Sequence, residues 1–292
     1  MKYITLSDMA SVIYKNIHKI PHDIDLVVGI PRSGMIAASM ICGYLNRPLV
    51  DVDNFCNGCF SGVGGGRLKY VKDRPIRKVL VVDDTIGNGG SMREAKEKIG
   101  KLNKDFEYVY FAVYLEGNGI NDINLFFEDI RHYVTNHIIS VLYEWNVFQH
   151  NNDVMGYSMY DLDGVLCIDP PDEINTMEYE NYISNAIPKF TPVTTIGIIC
   201  TYRLEKYRDV TEKWLSDNDI KYNRLIMFPA NTYSERAVSG MSPEQYKADM
   251  YKNEAWYMQL FVESDDFQAK RIYEMTKKPV LSVERNIMYG SE

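Results

Sequence analysis

No stretch of the chain is long and apolar enough to span a membrane. The N-terminal segment MKYITLSDMASVIYKNIHKI has neither the continuous apolar core nor the cleavage site of an export signal. It is instead an amphipathic helical pattern with Ser7 or Asp8 available as a cap. Cysteine is sparse: five residues, an odd number without an export signal, indicate reduced thiols and a cytoplasmic protein. Cys56 and Cys59 form a CNGC pair, but a tetrahedral zinc site needs two more ligands and the chain has no second pair. Positive charge is also short. The 32 Lys and Arg against 40 Asp and Glu leave −8, which argues against an extended nucleic-acid-binding surface, although a local basic pocket is invisible in that sum. Small substrates are expected, with neither nucleic acid nor membrane as partner.

What is present suits two globular domains: 292 residues, 46% hydrophobic and 25% charged. Asn151, Asn152 and Asp153 make a polar break, so domains are expected at 1–150 and 154–292. Apolar β-branched runs alternate with helical patterns in both halves, which predicts an α/β fold of two domains, each a mostly parallel sheet flanked by helices.

The first half centres on VLVVDDTIGNGGS, residues 79–91. Val79 to Val82 read as a strand buried on both faces, with Asp83 and Asp84 at its carboxyl end. A loop of small residues follows and runs into the helical pattern MREAKEKIGKLN. Glycines let successive N–H groups face one hollow, and the helix start adds partial positive charge, so the loop suits a phosphate. The two carboxylates suit vicinal hydroxyls. Upstream, the strand IDLVVG opens into IPRSG, whose amides and single guanidinium suit a diphosphate, although a plain turn with a solvated arginine would read the same way. PLVDV is a second short strand, and a long glycine-rich segment after it ends in basic residues. EYVYFAVYLE, NLFFEDI and ISVLYEW read as further strands of this sheet.

At these residues the chain resembles the type I phosphoribosyltransferases. The resemblance implies that Asp83 and Asp84 hold the ribose hydroxyls of phosphoribosyl pyrophosphate (PRPP) and that Thr85, Gly87, Asn88, Gly89, Gly90 and Ser91 hold its 5-phosphate. It gives Arg32, Ser33 and Gly34 the pyrophosphate, and places Arg67 and Lys69 on a closing loop. A small nitrogenous base would be the acceptor, with Tyr143 and Trp145 as candidate stacking faces, although buried core rings explain them as well.

The second half opens on GYSMYDLDGVLCIDPP. Asp161 and Asp163, two residues apart just past a strand, point to one side, where such a pair can share Mg²⁺ while one acid attacks phosphorus and the other protonates the leaving oxygen. DLDGVL resembles the first motif of the haloacid dehalogenase superfamily, which implies Asp161 as nucleophile and Asp163 as general acid/base. By the same resemblance Thr201, ending the strand TTIGIICT, binds the transferring phosphoryl group. Lys247, with Lys252 as the alternative, neutralises its charge. Glu263 is the further metal-binding acid, where Ser264 stands in place of a second acid and Asp266 or Asp265 follows late. Magnesium is the expected ion, on Asp161, Asp163, Glu263 and Asp266. Between Cys167 and Val193 only about one short helix fits, so the cap is minimal.

Together the resemblances imply a bifunctional enzyme that transfers phosphoribose to a base and then removes the 5-phosphate. The alternative is a PRPP- or nucleotide-sensing module beside a phosphatase for an unrelated ester. A homodimer is compatible with either.

Overall fold

The computed structural model describes residues 1–59, 75–102, 104–148, 152–171 and 176–290. The chain forms two compact units, one of Thr5–Thr135 and the other of Met1–Ile4 with Asn136–Glu292. The division therefore falls at residue 135, against an expected boundary at 150, and the first strand, β1 (Lys2–Ile4), belongs to the second unit. No helix among the described residues is long and apolar enough to cross a membrane.

The N-terminal helical pattern is shorter than its periodicity suggests. Thr5 and Asp8 form a capping box, the Thr5 hydroxyl accepting from Asp8 N and the Asp8 carboxylate from Thr5 N, so α1 (Leu6–Asn16) starts after residue 5. Thr5 is thus the cap, where Ser7 or Asp8 was expected.

The rest of the first unit runs β2 (Leu26–Gly29), α2 (Gly34–Leu45), β3 (Leu49–Asp51), α3 (Val52–Cys56), β4 (Lys78–Ile86), α4 (Gly90–Gly100), β5 (Glu107–Leu115) and β6 (Leu125–Asp129). The strands form one parallel sheet in the order β3-β2-β4-β5-β6. Val79 to Val82 are fully buried, as a central strand covered on both faces requires. Each such side chain contributes roughly 1.5–3 kcal/mol by leaving water. β4 does not end at Val82, however. Its pairing with β2 stops at Gly29↔Val82, while β5 continues alongside through Ile86↔Leu115. The acidic pair therefore lies within the strand, on a stretch that β2 no longer covers.

The second unit continues with β7 (Val141–Tyr143), α5 (Asn152–Gly156), β8 (Ser158–Tyr160), α6 (Thr176–Asn185), β9 (Ile196–Leu204), α7 (Arg208–Asp217), β10 (Tyr222–Phe228), α8 (Tyr233–Ser239), α9 (Pro243–Asp249), β11 (Leu260–Glu263), α10 (Asp266–Thr276), β12 (Val280–Ser282) and β13 (Ile287–Tyr289). Six strands form one sheet, β10-β9-β8-β11-β12-β13, parallel except for the β12–β13 pair. β8 is interior to this sheet, so the residue after it, Asp161, emerges in the middle of the carboxyl edge.

One expected strand is placed elsewhere. β7, from ISVLYEW, pairs in parallel with β1 in a two-stranded sheet of the second unit and does not join the sheet of the first. Tyr143 and Trp145 go with it into the second unit, their rings 5.0 Å apart. An apolar run announces a strand, but its partner is a long-range choice that the run itself does not encode.

Candidate functional site

In the first unit two connections meet at the acidic pair. Ile30 N donates to Val82 O (2.9 Å), which draws the chain after β2 across the uncovered part of β4. α2 then starts at Gly34 against Asp83: a Cβ there would lie 2.9 Å from both Asp83 Oδ1 and Val82 O, so only glycine fits. Arg32 is exposed and Ser33 half-buried at this corner. Asp83 and Asp84 are both buried. Asp83 Oδ1 accepts from Asp84 N (3.0 Å), and Thr85 Oγ1 donates to Asp84 Oδ2 (3.3 Å). Burial, reinforced by the neighbouring Asp84 carboxylate, pushes Asp83 well above the usual carboxylate range.

The expected phosphate loop, 85–91, divides into three parts. Thr85 lies in β4, Gly87 to Gly89 make the turn, and Gly90 and Ser91 open α4. Gly89 has φ +81°, and its absent Cβ leaves room for Asp122. The turn is pinned from behind: Gly119 N donates to Gly87 O (2.9 Å), and Arg93 bridges Asn88 O (2.8 Å) and Asp122. Arg67 and Lys69 lie outside the described residues.

In the second unit four elements deliver one cluster. Asp161 follows β8, Glu263 ends β11, Thr201 lies in β9 and Lys247 in α9, and all four are buried. Lys247 Nζ donates to Asp161 Oδ2 (2.8 Å), Glu263 Oε2 (2.8 Å) and Gln268 Oε1 (3.0 Å). Lys252 is exposed beyond the helix. Asp161 Oδ1 accepts from Leu162 N (2.8 Å), and Ser264 Oγ donates to Glu263 Oε1 (3.1 Å). Burial and the charge of Glu263 raise Asp161 well above the ordinary carboxylate range, against the pull of Lys247. Burial works against the charge on Lys247, but Asp161 and Glu263 outweigh it and hold the ammonium. β9 runs on past Thr201 to Leu204, so the strand does not end at the threonine.

That extension carries a residue the sequence reading missed. Arg203 is two residues beyond Thr201 on the same strand, a spacing that puts both on one side and was available as a signal. Its buried guanidinium donates from Nε to Asp163 Oδ2 (2.9 Å) and from Nη2 to Asp163 Oδ1 (2.5 Å), and Tyr182 Oη donates to Asp163 Oδ1 (2.9 Å). Burial alone would raise Asp163; the Arg203 charge and hydrogen bonds bring it below its usual value. Burial and the Asp163 charge push the Cys167 thiol up to about 12.

Asp161 and Glu263 are hard oxygen donors of the kind magnesium takes, and here both converge on the Lys247 ammonium. The other two expected ligands turn elsewhere: Asp163 to Arg203, and Asp266 to Tyr289 Oη (2.8 Å) and Arg285 (3.5 Å). Among the described residues no three His, Cys, Asp or Glu side chains group as a metal site. Beside the cluster is a hollow of about 420 Å³ bordered by Gly164, Asp169, Lys189, Ser264, Asp265 and Gln268.

No family model matches the chain, and no curated protein matches it. Solved structures of phosphoribosyltransferases cover about half of it. The purine phosphoribosyltransferase of Pyrococcus horikoshii Ot3 is 17% identical over 49% of this chain and 92% of its own, with a TM-score of 0.32. The xanthine-guanine-hypoxanthine phosphoribosyltransferase of Helicobacter pylori is 11% identical over 50% of this chain and 93% of its own, with a TM-score of 0.37. A chain of the Pnkp1/Rnl/Hen1 RNA repair complex is 12% identical over 91% of this chain and 98% of its own, with a TM-score of 0.32.

Proposed function

We propose that the chain is a bifunctional enzyme whose first unit transfers phosphoribose from PRPP to a nitrogenous base and whose second unit hydrolyses the phosphomonoester of the resulting nucleoside 5-phosphate. The observation that carries it is the convergence of Asp161, Lys247 and Glu263, remote in sequence, within 2.8 Å contacts at the carboxyl edge of a parallel sheet. The acidic pair of the first unit, pressed against the start of α2, supports the transferase half.

In the transferase half, Asp83 and Asp84 accept hydrogen bonds from the ribose hydroxyls, the turn and α4 start receive the 5-phosphate, and the corner at Arg32 to Gly34 receives the pyrophosphate. Ribose C1 passes from pyrophosphate oxygen to base nitrogen. In the phosphatase half, a carboxylate oxygen of Asp161 attacks phosphorus, the bond from phosphorus to the nucleoside oxygen breaks, and water then hydrolyses the acyl phosphate to free Asp161 and inorganic phosphate. Lys247 offsets charge on the acyl phosphate and Thr201 donates to a phosphoryl oxygen. Asp163, ionised against Arg203, is set to take the proton of the attacking water. To protonate the leaving oxygen in the first step it must leave Arg203, whereupon burial raises its proton affinity. Magnesium on Asp161 and Glu263 would neutralise charge on the phosphoryl oxygens.

The test is pyrophosphate release from PRPP across a panel of bases, with products followed by mass spectrometry. Nucleoside and inorganic phosphate are the expected products. A nucleotide that persists with the wild-type enzyme would detach the phosphatase from the transferase product, and no pyrophosphate with any base would remove the transferase half.

A further inference from the structure

A second hollow in the phosphatase-like unit, about 490 Å³, is lined by Tyr179, Tyr207, Tyr233, Arg203 and Arg236 together with Asp169. It meets the reacting centre at two points. Asp169 also borders the hollow beside Ser264, and Arg203 is the residue that grips Asp163. At its far side a third hollow of about 370 Å³ shares Tyr233 and Arg236 and adds Tyr202. The three hollows adjoin through shared lining residues, and the one beside Ser264 and Gln268 borders the side chains that contact Asp161 and Lys247.

Rings and cations interleave along this path. The Arg236 guanidinium lies 4.5 Å from the Tyr202 ring centre and 5.1 Å from that of Tyr233. Lys206 Nζ lies 4.5 Å from Tyr207 and 5.5 Å from Tyr233. Arg236 is anchored by donating to Tyr202 O (2.9 Å), whereas Tyr233 is 40% exposed on α8. Arg236 and Lys206 supply two cations here, Arg203 being paired with Asp163, and they run against a chain of net charge −8, so this is a local field and not a general basic surface. Of these rings Tyr233 is exposed, Tyr179 and Tyr202 are half-buried and Tyr207 is buried; an open aromatic face beside cations binds flat bases joined by phosphates, and the adjoining hollows extend beyond a single pocket.

We propose that this path binds single-stranded nucleic acid, bases on the tyrosines and phosphates on Arg236 and Lys206, with a terminal phosphate presented to Asp161. The presentation to Asp161 rests on the phosphatase reading of that centre; the binding does not.

The test uses the full chain and a fluorescein-labelled pentanucleotide, as DNA and as RNA, read by fluorescence anisotropy, beside hydrolysis of p-nitrophenyl phosphate. Saturable binding is expected, weakened by about fivefold or more in Tyr233→Ala and in Arg236→Ala and retained in Tyr233→Phe, which keeps the ring. The surface variant Lys213→Ala serves as a control and is expected to bind as wild type. Adenosine 5-monophosphate should displace the pentanucleotide only at concentrations at least tenfold above those of unlabelled pentanucleotide. Absence of saturable binding, equal affinity in the alanine variants, or displacement by both competitors at equal concentration would overturn the proposal. Binding with this pattern but without p-nitrophenyl phosphate hydrolysis would support the path and overturn the phosphatase reading alone.

Discussion

Each unit places a pair of carboxylates at the carboxyl edge of its sheet, and Asp83 of the first pair and Asp163 of the second shift in opposite directions. Asp83 is raised because desolvation and the adjacent Asp84 charge act together. Asp163 is half-buried among charged and hydroxyl partners, and it is lowered because Arg203 sits on it in bidentate contact. Burial sets the cost of a charge; the nearest ion sets the direction. Arg203 thus favours the charged form of Asp163, while burial inclines Asp83, and with it Asp161 of the second unit, toward the neutral form.

The sharpest way to break this comparison is at Asp161, the nucleophile of the proposed phosphatase. Asp161→Asn keeps the shape of the cluster but removes the attacking oxygen, so phosphate release should fall by orders of magnitude while pyrophosphate release from PRPP continues. Phosphate release at the wild-type rate would exclude Asp161 as the nucleophile. Next in size is Lys247→Met, which leaves Asp161 and Glu263 buried without their ammonium and should cost about 3–5 kcal/mol. Chemical denaturation monitored for the second unit would read it, and an unshifted midpoint would mean that the lysine is not what compensates these acids.

Replacing Asp83 and Asp84 singly with Asn should weaken PRPP binding about tenfold each, from the loss of a charge-assisted hydrogen bond of ~1.5–3 kcal/mol. Calorimetry with magnesium and PRPP measures it; unchanged affinity would take ribose recognition away from the pair. The smallest effect is on pH dependence. Because the folded state holds the Asp83 proton more tightly than the unfolded chain does, stability from this group is greatest below the unfolded value near 3.8 and declines as pH rises through the folded value. Asp163 has the opposite sign: its contribution is present above the unfolded value and lost as pH falls through the folded one. Asp83→Asn should therefore raise the neutral-pH melting temperature of the first unit relative to wild type, with the difference shrinking toward pH 4. A difference that grows on acidification would reverse the assignment.

Much of this was legible in the chain. The fully buried runs of β2, β4 and β9 announce themselves as apolar β-branched stretches, and the acids that end or follow β8 and β11 are visible as charges interrupting such runs. What escaped depended on neighbours. β4 continues through Asp83, Asp84 and Thr85 because β5 supplies partners there, which no local propensity for aspartate would suggest. Arg203 stands two residues past Thr201, an alternation visible in the sequence, but its pairing with Asp163 depends on β9 continuing past Thr201. The Thr5 cap, by contrast, is legible in the sequence as T-x-x-D, the spacing of a capping box.

β1 has a further consequence, for the order of assembly. Tyr3 is part of the core of the second unit and its hydroxyl donates to Asn286 Oδ1 (2.5 Å), 283 residues later. During synthesis Thr5–Thr135 can complete its fold while the first four residues wait for β7 and for the C-terminal strands that seat Tyr3. The entropic cost of so distant a closure grows only with the logarithm of the separation, so the wait is a matter of time more than of stability. A piece of the protein starting at Asn136 would lack one strand of its own sheet, and a fusion at residue 1 would bear on the unit that is finished last.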